Sequence, residues 1–511
     1  MPVQVKHIEK YHMILSDVLK KVKPLEVGGS LEENISGVNM DSRLVKPGDL
    51  FVAVKGTQAD GHAFIGKALE NGAKAILVSE PIPAERPEGV TFVRVADTED
   101  AVGKVATQFY GDPSSHLTLV GVTGTNGKTT TSNMITHILR ENGFSVINNS
   151  YGSNMLGGVT TALLCGCTMG GRVKADYSVI EIDERWLRFL VREIHPDYLV
   201  VVNLLRDQIM RNCCPEIVLE KIKMGITEGT TLVLNANDPV SQQLSWNRDN
   251  PVIWFALGEN ERSTKRCTGG TNDARVCPKC MHTLSYEYYH YNHVGKFRCE
   301  SCGFECPKPD YEGTELDFAN ASLKVNGVPV KLTFNATYFM FNTVTAAAVC
   351  CEAARLPLEK VLSAAESFDI GVTGRYEEMT VMGRKAQLIL TKQNPASVDQ
   401  SVQFVAEKQS PVTAIIIADN MFHTNNKDVL FMYDVAYENL RNTDYIIICG
   451  QRRYDLAVRM KLGGMDMSKI QICDRPEDIK ACLEKTEGDI CIMNLLHAEN
   501  DAALMKELRK L

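Results

Sequence analysis

Gly121-Val122-Thr123-Gly124-Thr125-Asn126-Gly127-Lys128-Thr129-Thr130-Thr131 follows the apolar run Leu117–Val122 and leads into Ser132–Leu139, which reads as a helix. Strand, glycine-bearing loop and helix N-terminus in that order make a phosphate cradle, because backbone N–H groups and the helix dipole both face the anion. In such a cradle Gly124, Thr125, Asn126, Gly127, Lys128, Thr129 and Thr130 surround the phosphates. Lys128 reaches the terminal ones and the Thr129 hydroxyl is placed to bind Mg²⁺. Val122 occupies the first glycine position of the strict G-x-x-x-x-G-K-[ST] pattern, so the loop is the T-G-T-N-G-K-T-T variant. The expected ligand is a nucleoside triphosphate.

At 511 residues the chain is too long for one core, and its length suggests about three domains. A hydrophobic content of 44% with 23% charged residues is that of an ordinary globular protein. The net charge of −8 argues against nucleic acid as the main partner, since neutralising phosphates takes clustered Lys and Arg. No N-terminal segment has the three regions of a signal peptide and no apolar run makes a transmembrane segment, so a cytoplasmic location is expected. Met1–Val22 reads as a short amphipathic helix with Ile14, Leu15, Val18 and Leu19 on one face. Sixteen cysteines without export signals read as thiols and metal ligands rather than disulfides.

Short apolar runs alternating with helical stretches divide the chain into units at 1–112, 113–365 and 366–511. In the first, Leu50–Val54, Ala75–Val78 and Val90–Val95 read as strands, and His62–Asn71 and Thr98–Tyr110 as helices. The turn cluster Gly111-Asp112-Pro113-Ser114 closes it. The second has strands at Tyr177–Ile182, Tyr198–Val202 and Thr231–Leu234, spaced as in a doubly wound sheet. The third repeats the alternation through Ala386–Thr391, Ala414–Ala418, Tyr445–Cys449, Ile470–Ile472 and Ile490–Met493.

Inside the second unit, at about 267–307, Cys277-Pro278-Lys279-Cys280 and Cys299-Glu300-Ser301-Cys302 form two C-x-x-C knuckles separated by eighteen residues. Four thiolates at that spacing close a tetrahedral zinc-ribbon site. A full Cys₄ set leaves no open coordination position, so the expected Zn²⁺ is structural. Cys306 is near enough to compete as a ligand.

The loop, the ribbon and the tripartite order resemble the Mur ligases, which build peptidoglycan peptide stems, over nearly the whole chain. The resemblance implies an α/β fold of three-domain Mur ligase architecture, with a P-loop doubly wound central domain carrying the zinc-ribbon insertion. Its parts point to two branches. Asn39-Met40-Asp41-Ser42-Arg43, Pro47-Gly48-Asp49-Leu50-Phe51-Val52-Ala53 and Asp60-Gly61-His62 look like the MurE-type N-terminal domain. There the D-S-R segment, Asp41, Ser42 and Arg43 here, helps hold the UDP end of the precursor. The centre and C-terminal unit look like the MurT type, the synthetase subunits that amidate glutamate in lipid II and carry a Cys₄ ribbon. Their E-x-D-E motif appears as Glu181-Ile182-Asp183-Glu184, and Glu181 at a strand end beside the loop suits Mg²⁺. Their N-x-x-R-D-Q motif appears as Asn203, Arg206, Asp207 and Gln208, but the D-R-Y-G-E that follows is replaced by residues 210–216. Asn342 matches the asparagine whose amide reads adenine, while an earlier family asparagine is Phe339 here. Arg375 matches the arginine that approaches the nucleotide. Lys392-Gln393-Asn394-Pro395 also belongs to the MurT type, as does the block from Ala418-Asp419-Asn420 to Tyr433-Asp434-Val435. In that branch the block supplies an aspartate to the Cys–His pair of a glutaminase partner, GatD. Asp428 and Asp434 both fall on its aspartates, and Asp428 is preferred.

The resemblance therefore implies an ATP-dependent amide-forming ligase that activates a muropeptide carboxylate as an acyl phosphate, using Mg²⁺. The acceptor is UDP-linked or lipid-linked, and the nucleophile is ammonia delivered by a GatD-like glutaminase. The alternative is a MurE-like enzyme that adds an amino acid to a UDP-N-acetylmuramoyl peptide.

Overall fold

The computed structural model describes residues 12–54, 60–109, 117–150, 154–167, 173, 175–192, 194–207, 212, 214–369, 376–391, 394–409, 411–418, 431–495 and 501–511. The chain forms two compact units, residues 1–118 with 164–176, and residues 119–163 with 177–511.

The first unit is built on β1 (Glu26–Gly28), β2 (Val38–Asn39), β3 (Leu50–Val52), β4 (Ala75–Val78) and β5 (Thr91–Arg94). They lie in the order β1-β5-β4-β3-β2, with β2 to β5 parallel and β1 antiparallel to β5. Alternation along β3 sends Leu50 and Val52 to a core with Val105 and Phe109, and Phe51 to the opposite core with Ile76, Phe92 and Ala68. Those partners come from α1 (Ile65–Glu70) and α2 (Thr98–Phe109) as well as from the strands. The N-terminal segment departs from the expected amphipathic helix. Met13–Ile14 pairs antiparallel with Asn34–Ile35, and helix is confined to Leu15–Val18, while residues 1–11 lie outside those described. Strand pairing satisfies the backbone at Met13 and Ile14, so Leu15, Val18 and Leu19 are buried but Ile14 turns outward.

The second unit holds two sheets. The larger comprises β6 (Thr118–Thr123), β7 (Val146–Asn148), β8 (Tyr177–Glu181), β9 (Tyr198–Val201), β10 (Thr231–Asn235) and β11 (Val252–Leu257). After a separate hairpin, β12 (Ser285–Tyr291) and β13 (Val294–Arg298), it is completed by β14 (Tyr311–Asp317), β15 (Ser322–Val325) and β16 (Val328–Lys331). The order is β16-β15-β14-β11-β10-β9-β6-β8-β7. Pairs β7–β8, β6–β9, β9–β10, β10–β11 and β11–β14 are parallel, and β15 and β16 add an antiparallel meander. The helices α3 (Lys128–Glu141), α4 (Thr337–Ala354) and α5 (Leu358–Ala365) share one core with these strands. From Phe339 to Cys350 every residue of α4 is buried, the pattern of a helix enclosed on all sides.

The smaller sheet comprises β17 (Tyr376–Val381), β18 (Arg384–Thr391), β19 (Val412–Ile417), β20 (Tyr445–Cys449), β21 (Ile470–Ile472) and β22 (Asp489–Leu495), ordered β17-β18-β22-β19-β20-β21. Residues alternate between two cores. Ala414, Ile416, Ile446 and Ile448 meet α6 (Pro395–Ala406) and α7 (Arg453–Leu462). Ile415, Ile417, Ile447 and Cys449 meet α8 (Ile479–Leu483) and α9 (Asp501–Leu508). Both faces being covered, β19 is buried at each residue and reads as an unbroken apolar run.

Candidate functional site

The loop between β6 and α3 lies at the carboxyl edge of the larger sheet, where open α/β folds leave a crevice. Two of its glycines are required by shape. Gly124 has φ +119°, and a Cβ there would stand 2.8 Å from the Asn203 carbonyl oxygen. Gly127 has φ +84°, and a Cβ there would stand 2.6 Å from the Asn342 Oδ1. Asn203, just beyond β9, clasps the loop. Its carbonyl accepts from Thr125 N at 2.8 Å and its Oδ1 from Asn126 N at 3.0 Å. The Thr125 hydroxyl donates to the Leu205 carbonyl at 3.0 Å and accepts from Leu205 N at 2.9 Å. The first turn of α3, Lys128 to Thr130, then presents N–H groups that no carbonyl of its own helix can take.

Lys128 is buried, and its Nζ pairs with Glu184 Oε1 at 2.5 Å and also donates to the Gly124 carbonyl. Burial alone would lower the pKa of this ammonium, but Glu184, Glu181 and Asp207 outweigh it and hold the group above its ordinary value. Glu181, the last residue of β8, is fixed by Asn149, which exchanges two bonds with its backbone at 2.8 and 2.9 Å. Asn154 Nδ2 donates to its Oε1 at 2.9 Å. Lysine and three carboxylates thus converge at the start of α3.

Beside the loop opens a cleft bounded by Gly127, Asn342, Phe334, Tyr338, Gln400 and Phe404. The Asn342 Nδ2 is buried there without a hydrogen-bond partner among the described residues. An unpaired buried donor is costly unless a ligand takes it. The far wall is α6. Asn394 caps that helix, accepting from Ser397 N at 2.9 Å, and pairs with Asn126 through bonds of 2.9 and 3.2 Å. Ser397 Oγ adds a third bond to Asn126, at 2.9 Å. Arg262 crosses the same cleft, with Nη2 2.7 Å from Glu407 and its plane over the Phe318 ring at 3.8 Å.

Among the other expected residues, Asp434 Oδ2 accepts from Arg206 Nη1 at 3.3 Å, and Arg206 is held on its other side by Asp273. Asp428 and Arg375 lie outside the described residues. In the first unit, Arg43 folds back onto Asp41 at 2.6 Å and draws that carboxyl down to about 2, while Ser42 is buried with its carbonyl bonded by Asn71. Phe339, which stands in place of the earlier family asparagine, is fully buried in the helix core.

The thiols of Cys277, Cys280, Cys299 and Cys302 lie within 4.8 Å of one another. Each knuckle is closed by a left-handed residue just after its second cysteine, Met281 at φ 62° and Gly303 at φ 73°. Backbone bonds Met281 N to Cys277 O and Gly303 N to Cys299 O repeat the geometry in both. Cys306 stands apart from the four; its thiol accepts from Phe297 N and donates to the Gly295 carbonyl.

Residues 34–110 match the Mur ligase family catalytic domain, 122–297 the Mur ligase middle domain and 390–495 the MurT ligase C-terminal domain. The lipid II isoglutaminyl synthase (glutamine-hydrolyzing) subunit MurT of Staphylococcus aureus is 30% identical over 353 residues, spanning 68% of this chain and 78% of that protein. The N-terminal part resembles a UDP-N-acetylmuramoyl-L-alanyl-D-glutamate–2,6-diaminopimelate ligase from Bacteroides fragilis, 54% identical over 134 residues, or 26% of this chain and 27% of that enzyme. In fold the chain resembles MurF of Acinetobacter baumannii, with a TM-score of 0.62 at 16% identity over 98% of this chain and 99% of that one.

Proposed function

The chain belongs to the Mur ligase family of ATP-dependent carbon–nitrogen ligases, and from that premise we propose that it converts a muropeptide glutamate carboxylate to its amide. The observation that carries this reading is the seating of Asn394 and Ser397 on Asn126. Both belong to the segment that matches the MurT C-terminal domain, so the part resembling an amidating subunit meets the phosphate loop directly. The three functional segments are 1–112, 113–365 and 366–511.

In the proposed reaction the carboxylate attacks the γ-phosphorus of ATP, giving an acyl phosphate and ADP. Ammonia then attacks the acyl carbon and expels phosphate. Gly124 to Thr130 receive the phosphates, with Lys128 offsetting charge that develops on the transferring group. Thr129 and Glu181 are the residues that would hold Mg²⁺, which spreads the phosphate charge. The unpaired Asn342 amide suits the polar edge of a purine, and Phe334, Tyr338 and Phe404 offer it apolar faces; Arg375 approaches the same nucleotide. Asp41, Ser42 and Arg43 hold the UDP end of a precursor. Ammonia comes from a separate glutaminase, to which Asp428 supplies the acidic group; Asp434, engaged by Arg206, is the second choice. The four clustered thiols suit one structural Zn²⁺, because all four positions of a tetrahedron are filled. The setting is the cytoplasm; no helix among the described residues is long and apolar enough to cross a membrane.

A second reading, addition of an amino acid to a UDP-linked peptide, is favoured by the 54% match of the N-terminal part to a diaminopimelate ligase. Phosphate release in the presence of candidate acceptors tests the shared step. Wild type should release phosphate only with a muropeptide present, and Lys128→Ala should not; equal rates with and without acceptor in both would end the ligase reading.

A further inference from the structure

Asp399 lies one turn into α6, almost wholly buried, and the proposed reaction makes no use of it. Its Oδ1 accepts from Ala436 N at 2.7 Å and its Oδ2 from Gly270 N at 3.0 Å, while Asn292 Nδ2 donates to the Thr271 carbonyl next to Gly270. These three groups come from separate places. Ala436 follows the short helical turn Phe431–Asp434, Gly270 is on the strand-less approach to the cysteine hairpin, and Asn292 is at the tip of that hairpin. The approach is tight enough to exclude side chains. A Cβ on Gly270 would collide with the Asp434 carbonyl, and one on Gly269 would stand 2.7 Å from Asn292 Nδ2 and 2.9 Å from Asp399 Oδ2.

On the other side of this junction Asp434 holds Arg206 at 3.3 Å, and Asp273, three residues beyond Gly270, holds the same guanidinium. Arg206 sits between Leu205, bonded to Thr125, and Asp207, whose Oδ1 lies 3.4 Å from Asn394 Nδ2. The start of α6 therefore grips the phosphate loop through Asn394, and its next turn grips the hairpin and the 431–436 segment through Asp399.

We propose that Asp399 is a positioning residue that locks the cysteine hairpin to the 431–436 segment and thereby sets Arg206 beside the phosphate loop. Each of the two Asp399 oxygens accepts a backbone N–H, which an amide, with an NH₂ in one of those two places, cannot match. Asp399→Asn turns an NH₂ toward one of the backbone amides; Gly270→Ala pries the junction open from the opposite side without altering Asp399.

The test reads hydrogen exchange in peptides spanning 268–274 and 431–440 of the full chain, together with ATP affinity by calorimetry. The proposal rests on the nucleotide reading only for the second measurement. In folded Asp399→Asn, exchange in both peptides should quicken about tenfold, as local opening becomes easier, and ATP should bind several-fold more weakly. Gly270→Ala should do the same, and stands in should Asp399→Asn fail to fold. Wild-type exchange in both variants overturns the proposal, as does faster exchange with ATP affinity unchanged. If wild type itself binds no ATP, the nucleotide reading falls instead, and exchange alone judges the junction.

Discussion

Asn126 and Asn394, separated by 268 positions in sequence, face each other as a reciprocal amide pair, each Nδ2 donating to the other's Oδ1 at 3.2 and 2.9 Å. The pair spans the cleft between the loop and α6, so it forms only when the smaller sheet's domain is closed on the larger. Two neutral hydrogen bonds contribute about 1 kcal/mol each. Asn394→Ala should therefore weaken ATP binding about thirtyfold, with a further loss of stability from the missing helix cap. Calorimetric titration checks it, and Asn126→Ala in the same chain should add only the loss of its bond from Ser397, since the amide pair is already gone.

Glu184→Ala should cost about 3–5 kcal/mol, because it leaves the buried Lys128 ammonium without its nearest counter-charge. Phosphate oxygens would restore that charge. Thermal unfolding should accordingly show a larger upward shift on adding ATP in the variant than in wild type. An equal shift would mean that Lys128 does not face the phosphates.

The four-thiol cluster should hold about one zinc per chain, retained through dialysis and released by a thiolate-directed mercurial. Cys299→Ser should lose it, whereas Cys306→Ser should keep it, since Cys306 stands outside the four. Elemental analysis of both variants settles the assignment.

Burial raises the Asp399 carboxyl to about 7, although the N–H groups of Ala436 and Gly270 and the Asn292 amide oppose that shift. Folding takes up a proton there between the ordinary carboxylate range and neutrality. The unfolded chain binds fewer protons over that window, so this group's contribution to stability falls as pH rises through it. His290, pushed down to about 4 by burial, contributes the opposite slope, stability being lost as pH falls from its ordinary value toward 4. Comparing wild type with Asp399→Asn cancels His290. Relative to the variant, wild type should lose stability between about pH 4 and 7, measured by denaturant unfolding.

Much of this was legible in the sequence where chemistry is local. The loop needs its glycines at Gly124 and Gly127 because neighbouring carbonyls crowd them, and the C-x-x-C spacing closes on itself through two matching turns. Continuous apolar runs identified strands such as Tyr445–Cys449 because helices cover both faces of the sheet. What pattern could not supply were contacts between distant positions. Asn203 and Glu184 stood within recognised motifs, yet their roles as loop clasp and lysine partner appear only once β8 and β9 flank β6. Asn394 likewise gains its meaning from Asn126. At the N-terminus the helical pattern misled, since pairing with Asn34–Ile35 satisfied the backbone first. The pairing of Arg43 with Asp41 is likewise a contact that the tripeptide pattern does not show.

The most direct test supplies the purified protein with ATP, Mg²⁺, ammonia and a panel of muropeptide precursors, and weighs the products by mass spectrometry. Amidation predicts the slight mass decrease of a carboxylate becoming an amide, dependent on ATP and ammonia and absent in Lys128→Ala. A mass gain that appears only when an amino acid is supplied would contradict it, and would make this chain an amino-acid-adding enzyme carrying an amidating subunit's C-terminal domain.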